Sequence, residues 1–222
     1  MEKQYKNIGF FLLGLLALVI LGFSKSYSFL RPYFDRSTLH FVQIHGAALS
    51  LWLLLLIIQP LLIRYKKNGI HRVIGKFSYF LIPVIVVFSF IVMYKQYQQG
   101  ITQGMTGPQS LKTLLIPLFE IVLLTLFYLL AIIYRRDVRL HMRYLICNAL
   151  ILITPSLARV LGFWFGVKQL YSYTISFGLT ELILILLIFF DRQHKSNYRP
   201  YVFALAFFLL FHIGWYGLGH PF

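Results

Sequence analysis

Residues 40–63 read HFVQIHGAALSLWLLLLIIQPLLI, a run without a single lysine, arginine, aspartate or glutamate. Roughly 20 helical residues cross a hydrocarbon core about 30 Å thick, so this stretch is long enough to span one. Six comparable apolar runs occupy about residues 8–24, 75–94, 111–134, 143–166, 171–190 and 200–218. Composition agrees, with 59% of the 222 residues hydrophobic and 12% charged, and a mean hydropathy of +0.75. The expected fold class is therefore all-α: a polytopic membrane helical bundle of seven transmembrane helices, one integral membrane domain over residues 1–222, with the lipid bilayer as its surroundings.

The formal net charge of +15 would suggest nucleic acid in a soluble chain. Here the cations sit in short connections between apolar runs, so the charge is topological and no nucleic-acid partner is expected. Lys3, Lys6, Arg64, Lys66, Lys67, Arg72, Lys76, Arg135, Arg136, Arg139, Arg143, Arg192, Lys195 and Arg199 fall on one side. Lys25, Arg31, Arg36, Lys95, Lys112 and Lys168 fall on the other, and Arg159 lies within a span. The positive-inside rule then places the N-terminus in the cytoplasm and the C-terminus outside. Lys3 and Lys6 before a short apolar run also describe a signal peptide, but no small-x-small cleavage site precedes Ser24–Lys25, so the first span is expected to remain as a helix. Asn68–Gly69 and Gly104 to Pro108 read as turns. Cys147 is the one cysteine and forms no intrachain disulfide.

Five ionisable residues interrupt the apolar runs: His45, Glu120, Arg159, Glu181 and His212. Each is costly in hydrocarbon unless it faces the bundle interior, finds a partner or binds something, so each is a candidate site residue. Helical spacing groups them with other polar positions. His45, Trp52 and Gln59 form one stripe, and His141, Asn148, Pro155 and Arg159 another, where Pro155 is expected to kink its helix. Glu120 shares a face with Thr113, Glu181 with Thr174, and His212 with Tyr216. At 1.5 Å of rise per residue, His45, Arg159 and His212 fall in the outer half of the membrane and Glu120 and Glu181 near its midplane. His71 and His141, flanked by Arg72 and Arg143, fall at the cytoplasmic mouths.

Three readings of the outer cluster are open. Glu120 or Glu181 neutralises Arg159, with the histidines as hydrogen-bonded core residues. Alternatively His45 and His212 ligate a haem or metal ion, and Arg159 pairs with an anionic group of that cofactor. In the third, Glu120, Glu181 and a histidine relay protons or ions in a transporter. No HExxH, CxxC, CxxCH, GxSxG or phosphate-binding glycine loop is present, which leaves a zinc-dependent hydrolase only a set of dispersed ligands. The inner pairs, His71–Arg72 and His141-x-Arg143, are expected to snorkel to anionic headgroups. The alternative there is a second ligand pair, His71 with His141.

The run His45-Gly46, Leu51-Trp52, Gln59-Pro60, His71-Arg72-x-x-Gly75-Lys76-x-Ser78, the segment Arg136 to Arg143 and Arg159 resembles a family of bacterial membrane proteins, the domain-of-unknown-function 2306 group, over about residues 40–162. The resemblance implies a small helical bundle in a bacterial cytoplasmic (inner) membrane. Its pattern residues would be His45, Gln59, His71, Arg72, His141, Arg143 and Arg159, and it implies no reaction. The leading expectation is an intramembrane histidine site binding haem or a metal, in a redox role or with a respiratory-assembly partner. A proton-coupled transporter using Glu120 and Glu181, a zinc hydrolase and a structural membrane protein are the alternatives, and whether the chain is an enzyme is left open. Alkaline phosphatase fused after residue 104 should be active in a bacterial host, and fusions after residues 68 and 137 inactive; the reverse pattern would invert the topology.

Overall fold

The computed structural model describes residues 2–30 and 36–217. Arg31 of the outer cation set and residue 218 of the last expected span lie outside them. After a 3-10 turn at Lys3–Tyr5 come α1 (Ile8–Leu30), α2 (Arg36–Arg64), α3 (Asn68–Thr102), α4 (Gly107–Lys112), α5 (Leu115–Ile133), α6 (Val138–Leu150), α7 (Ile153–Phe165), α8 (Gln169–Gln193) and α9 (Arg199–Gly217). Every regular element among the described residues is helical, as a chain in lipid requires, since only internal hydrogen bonds can satisfy its backbone there. Among the described residues seven stretches are long and apolar enough to cross a membrane: Ile8–Lys25, Thr38–Arg64, Asn68–Thr102, Gly107–Ile133, Val138–Phe165, Gln169–Gln193 and Arg199–Tyr216.

The helices overrun the apolar runs. The third run was bounded at 75–94, but α3 covers 35 residues because polar ends such as Asn68 and Gln99 continue the helix beyond the hydrophobic stretch. Asn68–Gly69, expected as a turn, is the first turn of α3; the chain reverses one step earlier, at Lys66 with φ 59°. Gly104 does turn, with φ 87°, but Gly107 and Pro108 already belong to α4. There Thr106 and Gln109 form a capping box.

The chain divides into two compact units, one of residues 1–13, 27–125 and 221, the other of residues 14–26, 126–220 and 222. Helices α1 and α5 contribute to both. In the first unit α2 and α3 form an antiparallel pair that buries Leu53, Leu56 and Ile57 with Leu81, Ile82 and Ile85. Arg64 at the end of α2 bonds the Lys6 carbonyl (3.2 Å) and the Asn7 side chain, tying down the start of the chain.

In the second unit α6 and α7 together make one interrupted span. Pro155 has no N–H to offer the Ile151 carbonyl, and Leu152 N–H makes a tighter i−3 bond to Ala149 O (3.1 Å), so the helix breaks at Ile151–Leu152. Gly22 of α1 packs against the restarted helix so closely that a Cβ would stand 2.4 Å from the Ser156 carbonyl oxygen. Helices α8 and α9 pack through Phe177 against Phe208 and Phe211, with ring centroids 6.3 and 5.6 Å apart.

Among the described residues one ion pair is buried completely. Arg143 of α6 donates from Nε (2.6 Å) and NH2 (3.0 Å) to the two carboxylate oxygens of Asp191 on α8, and from NH1 to Arg139 O (3.1 Å). Both side chains are 0% exposed, so Arg143 does not snorkel to headgroups as its position near the span end suggested. A carboxylate at the same depth gave it a nearer partner than the interface. Because a charge left alone in such a place is costly, Asp191→Ala should destabilise the protein by about 3–5 kcal/mol. Arg143→Met combined with Asp191→Leu should recover much of that loss, as read by thermal unfolding in detergent.

Candidate functional site

Two polar stripes on neighbouring helices meet in the second unit. Glu181 on α8 and His212 on α9 are joined by a 2.9 Å contact between Oε1 and Nδ1, with side chains 12% and 15% exposed. Thr174, seven residues before Glu181, contacts the Tyr216 hydroxyl at 2.5 Å. Thr174 already donates to Leu170 O (3.0 Å), so Tyr216 is the donor of that rung. The His212 ring also lies against Phe177 and Tyr216, with centroids 5.2 and 5.6 Å away.

This packing orients the imidazole. A carboxylate only accepts, so His212 donates from Nδ1 and its Nε2 faces the other way. Nε2 is buried and has no hydrogen-bond partner among the described residues. Other polar side chains on α8 satisfy themselves: Ser176 and Thr180 donate to the carbonyls of Ser172 and Ser176 (2.6 and 3.0 Å). A buried nitrogen left unsatisfied costs on the order of 1–3 kcal/mol; Thr154 Oγ1 and Ser156 Oγ of α7 share that state among the described residues, and His212 Nε2 differs from these hydroxyls in carrying an imidazole lone pair suited to a metal.

Arg159 on α7 donates to Pro155 O (2.7 Å), and its guanidinium lies 4.4 Å over the Phe23 ring. No carboxylate among the described residues of its unit joins it, and Glu181 is committed to His212, so of the reading in which Glu120 or Glu181 neutralises Arg159 the Glu181 form is replaced by backbone and cation–π contacts. Asn148 is fully buried in α6. His141 donates from Nδ1 to Ala131 O (2.7 Å), stapling the start of α6 to the end of α5.

In the first unit His45 lies 3.4 Å from Ser89 Oγ through Nδ1. Ser89 donates to Ile85 O (2.7 Å), so the histidine is the donor in that contact. Gln59 bridges α2 to α3. Its amide N–H groups donate to the His71 carbonyl (3.2 Å) and to His71 Nδ1, and its oxygen accepts from Gly75 N–H (3.1 Å). Ser78 then donates to Gly75 O (2.6 Å). An Nδ1 that accepts puts the proton on Nε2, so His71 has the tautomer opposite to that of His45, His141 and His212 and offers no free ring lone pair for a metal. Arg72 is exposed, and Glu120 is half-buried on α5. Thr113, expected to share a face with Glu120, donates to Ser110 O (2.7 Å).

His45 and His212 belong to different units, and each has a partner in its own. No group of three His, Cys, Asp or Glu side chains that could hold a metal ion forms among the described residues, so a dispersed-ligand zinc centre finds no donor set there. Sequence reasoning missed Asp191 and Ser89. Asp191 stood one residue beyond the assigned end of its span, although its charge and depth match Arg143; Ser89 carries no signal, being one small polar residue in an apolar helix.

Compared with family models, with curated proteins and with solved structures, the chain matches none. The geometry makes its own prediction about tautomers. Nitrogen NMR of histidine-labelled protein should find His212 protonated at Nδ1 and His71 at Nε2, and Glu181→Leu should release the His212 preference while leaving His71 unchanged.

Proposed function

We propose that the chain is a multi-pass protein of a bacterial cytoplasmic membrane, with its N-terminus inside and C-terminus outside, that uses His212 to hold a haem or another redox-active metal cofactor. The observation that carries this reading is the state of the imidazole: Nδ1 is anchored to Glu181, and Nε2 is buried without a partner among the described residues. Histidines that ligate metals have this arrangement, because the carboxylate fixes the tautomer and raises the basicity of the ligating nitrogen. A haem held there would supply one-electron chemistry. Arg159, a guanidinium without a carboxylate among the described residues of its unit, suits a propionate or another anionic group of the cofactor. His45 presents the same tautomer as His212, whereas the geometry of His71 speaks against a ligand role. The resemblance to the domain-of-unknown-function 2306 group supports the bacterial membrane setting, in which a respiratory or assembly complex would be the partner.

The second reading is a proton relay through the same pair. It draws on the Tyr216–Thr174 rung, which continues the polar contacts of Glu181 and His212 along the α8–α9 interface. A relay needs each proton acceptor to hand on to another, and Nε2 has no such neighbour among the described residues. The cofactor reading is therefore preferred. The test is a dithionite-reduced minus oxidised visible spectrum of detergent-purified protein, with elemental analysis for iron, copper and zinc. A sharp reduced α-band that is lost in His212→Ala and shifted in Glu181→Gln is expected. Metal-free, featureless protein from a haem-supplemented host, combined with proton uptake into vesicles that Glu181→Gln abolishes, would establish the relay instead.

A further inference from the structure

The turn between α5 and α6 holds a second binding feature that neither the Glu181–His212 pair nor the buried Arg143–Asp191 pair uses. Ile132, Ile133, Arg135 and Arg136 line an open groove of about 360 Å³ at the end of the span. Half of that lining is apolar and half cationic, and Ile133 is 69% exposed. The one acidic residue in the turn, Asp137, is taken up by its own helix: Oδ1 accepts from Arg139 N–H (2.9 Å) and Leu140 N–H (3.2 Å) as the N-cap of α6. Arg135 and Arg136 therefore stand exposed without a carboxylate partner among the described residues.

The turn is held in shape from both sides. His141 Nδ1 bonds Ala131 O (2.7 Å), and Tyr134 stacks on Tyr144 with centroids 5.7 Å apart and rings 18° from parallel. These contacts join the last turn of α5 to the first turns of α6, so the two guanidinium groups are presented from a braced hairpin. Arginine forks match phosphate oxygens, and the exposed Ile133 with the half-buried Ile132 beside it matches acyl chains.

We propose that this groove binds the headgroup of an anionic phospholipid, with Arg135 and Arg136 on phosphate oxygens and Ile132 and Ile133 against the first acyl carbons. A soluble phosphate compound would satisfy the arginines and leave the isoleucines in water. Position at the end of a membrane-crossing helix therefore favours the lipid.

The test is native mass spectrometry of the full-length protein released from neutral phosphatidylcholine micelles titrated with cardiolipin. One tightly retained cardiolipin is expected on the wild type. Arg135→Gln/Arg136→Gln should weaken it about thirtyfold, Arg135→Lys/Arg136→Lys should keep part of the affinity, and Lys67→Gln/Lys76→Gln should change nothing. Unfolding temperatures measured without cardiolipin should be equal across the set, which separates lost binding from lost fold. Equal cardiolipin retention by the glutamine variant would overturn the proposal. Displacement of cardiolipin by glycerol phosphate at matched concentration would also overturn it, because the headgroup alone would then suffice.

Discussion

An ionisable side chain removed from water has to find its partner inside the protein, and the arrangement of this chain's buried polar groups follows from that requirement. Lipid offers neither a hydrogen bond nor a counter-charge. Arg143 meets Asp191, Glu181 meets His212, Gln59 meets His71, and Arg159 folds onto a carbonyl and a ring. Several of these contacts also bridge helices, so polar groups that are costly individually become the points at which apolar cylinders are held in one register. Apolar packing alone would leave rotation and sliding of such helices weakly specified.

The pairs differ in what they leave over. Arg143 and Asp191 are bidentate and completely enclosed, an arrangement whose donors and acceptors answer one another. Its role is structural. The Glu181–His212 contact uses one nitrogen of the ring and leaves the other enclosed without a partner among the described residues. That asymmetry is what sets the second pair apart from the first. Gln59 is closer to the first kind, since its amide engages His71 and the Gly75 backbone at once.

Tautomers refine what residue type suggests. His45, His71, His141 and His212 look equivalent as letters in a sequence, each a candidate ligand. Their hydrogen bonds divide them: a serine oxygen, a main-chain carbonyl and a carboxylate take the Nδ1 proton of His45, His141 and His212, while an amide N–H occupies Nδ1 of His71. A single donor in place of an acceptor changes which ring nitrogen carries the lone pair.

Much was legible in the sequence because lipid imposes a simple rule on composition. Apolar runs such as 40–63 had to be helices long enough to cross a membrane, and the period of the helix placed Glu181 with Thr174 and His212 with Tyr216, two stripes that do face each other. Helix ends were less legible, since hydropathy records where a side chain prefers to be and not where the backbone stops, as the 35 residues of α3 illustrate. Pairing was not legible at all. Spacing along one helix carries no information about which helix lies beside it, so only the tertiary structure could give Arg143 to Asp191, withhold Glu181 from Arg159, and leave His212 with one nitrogen open.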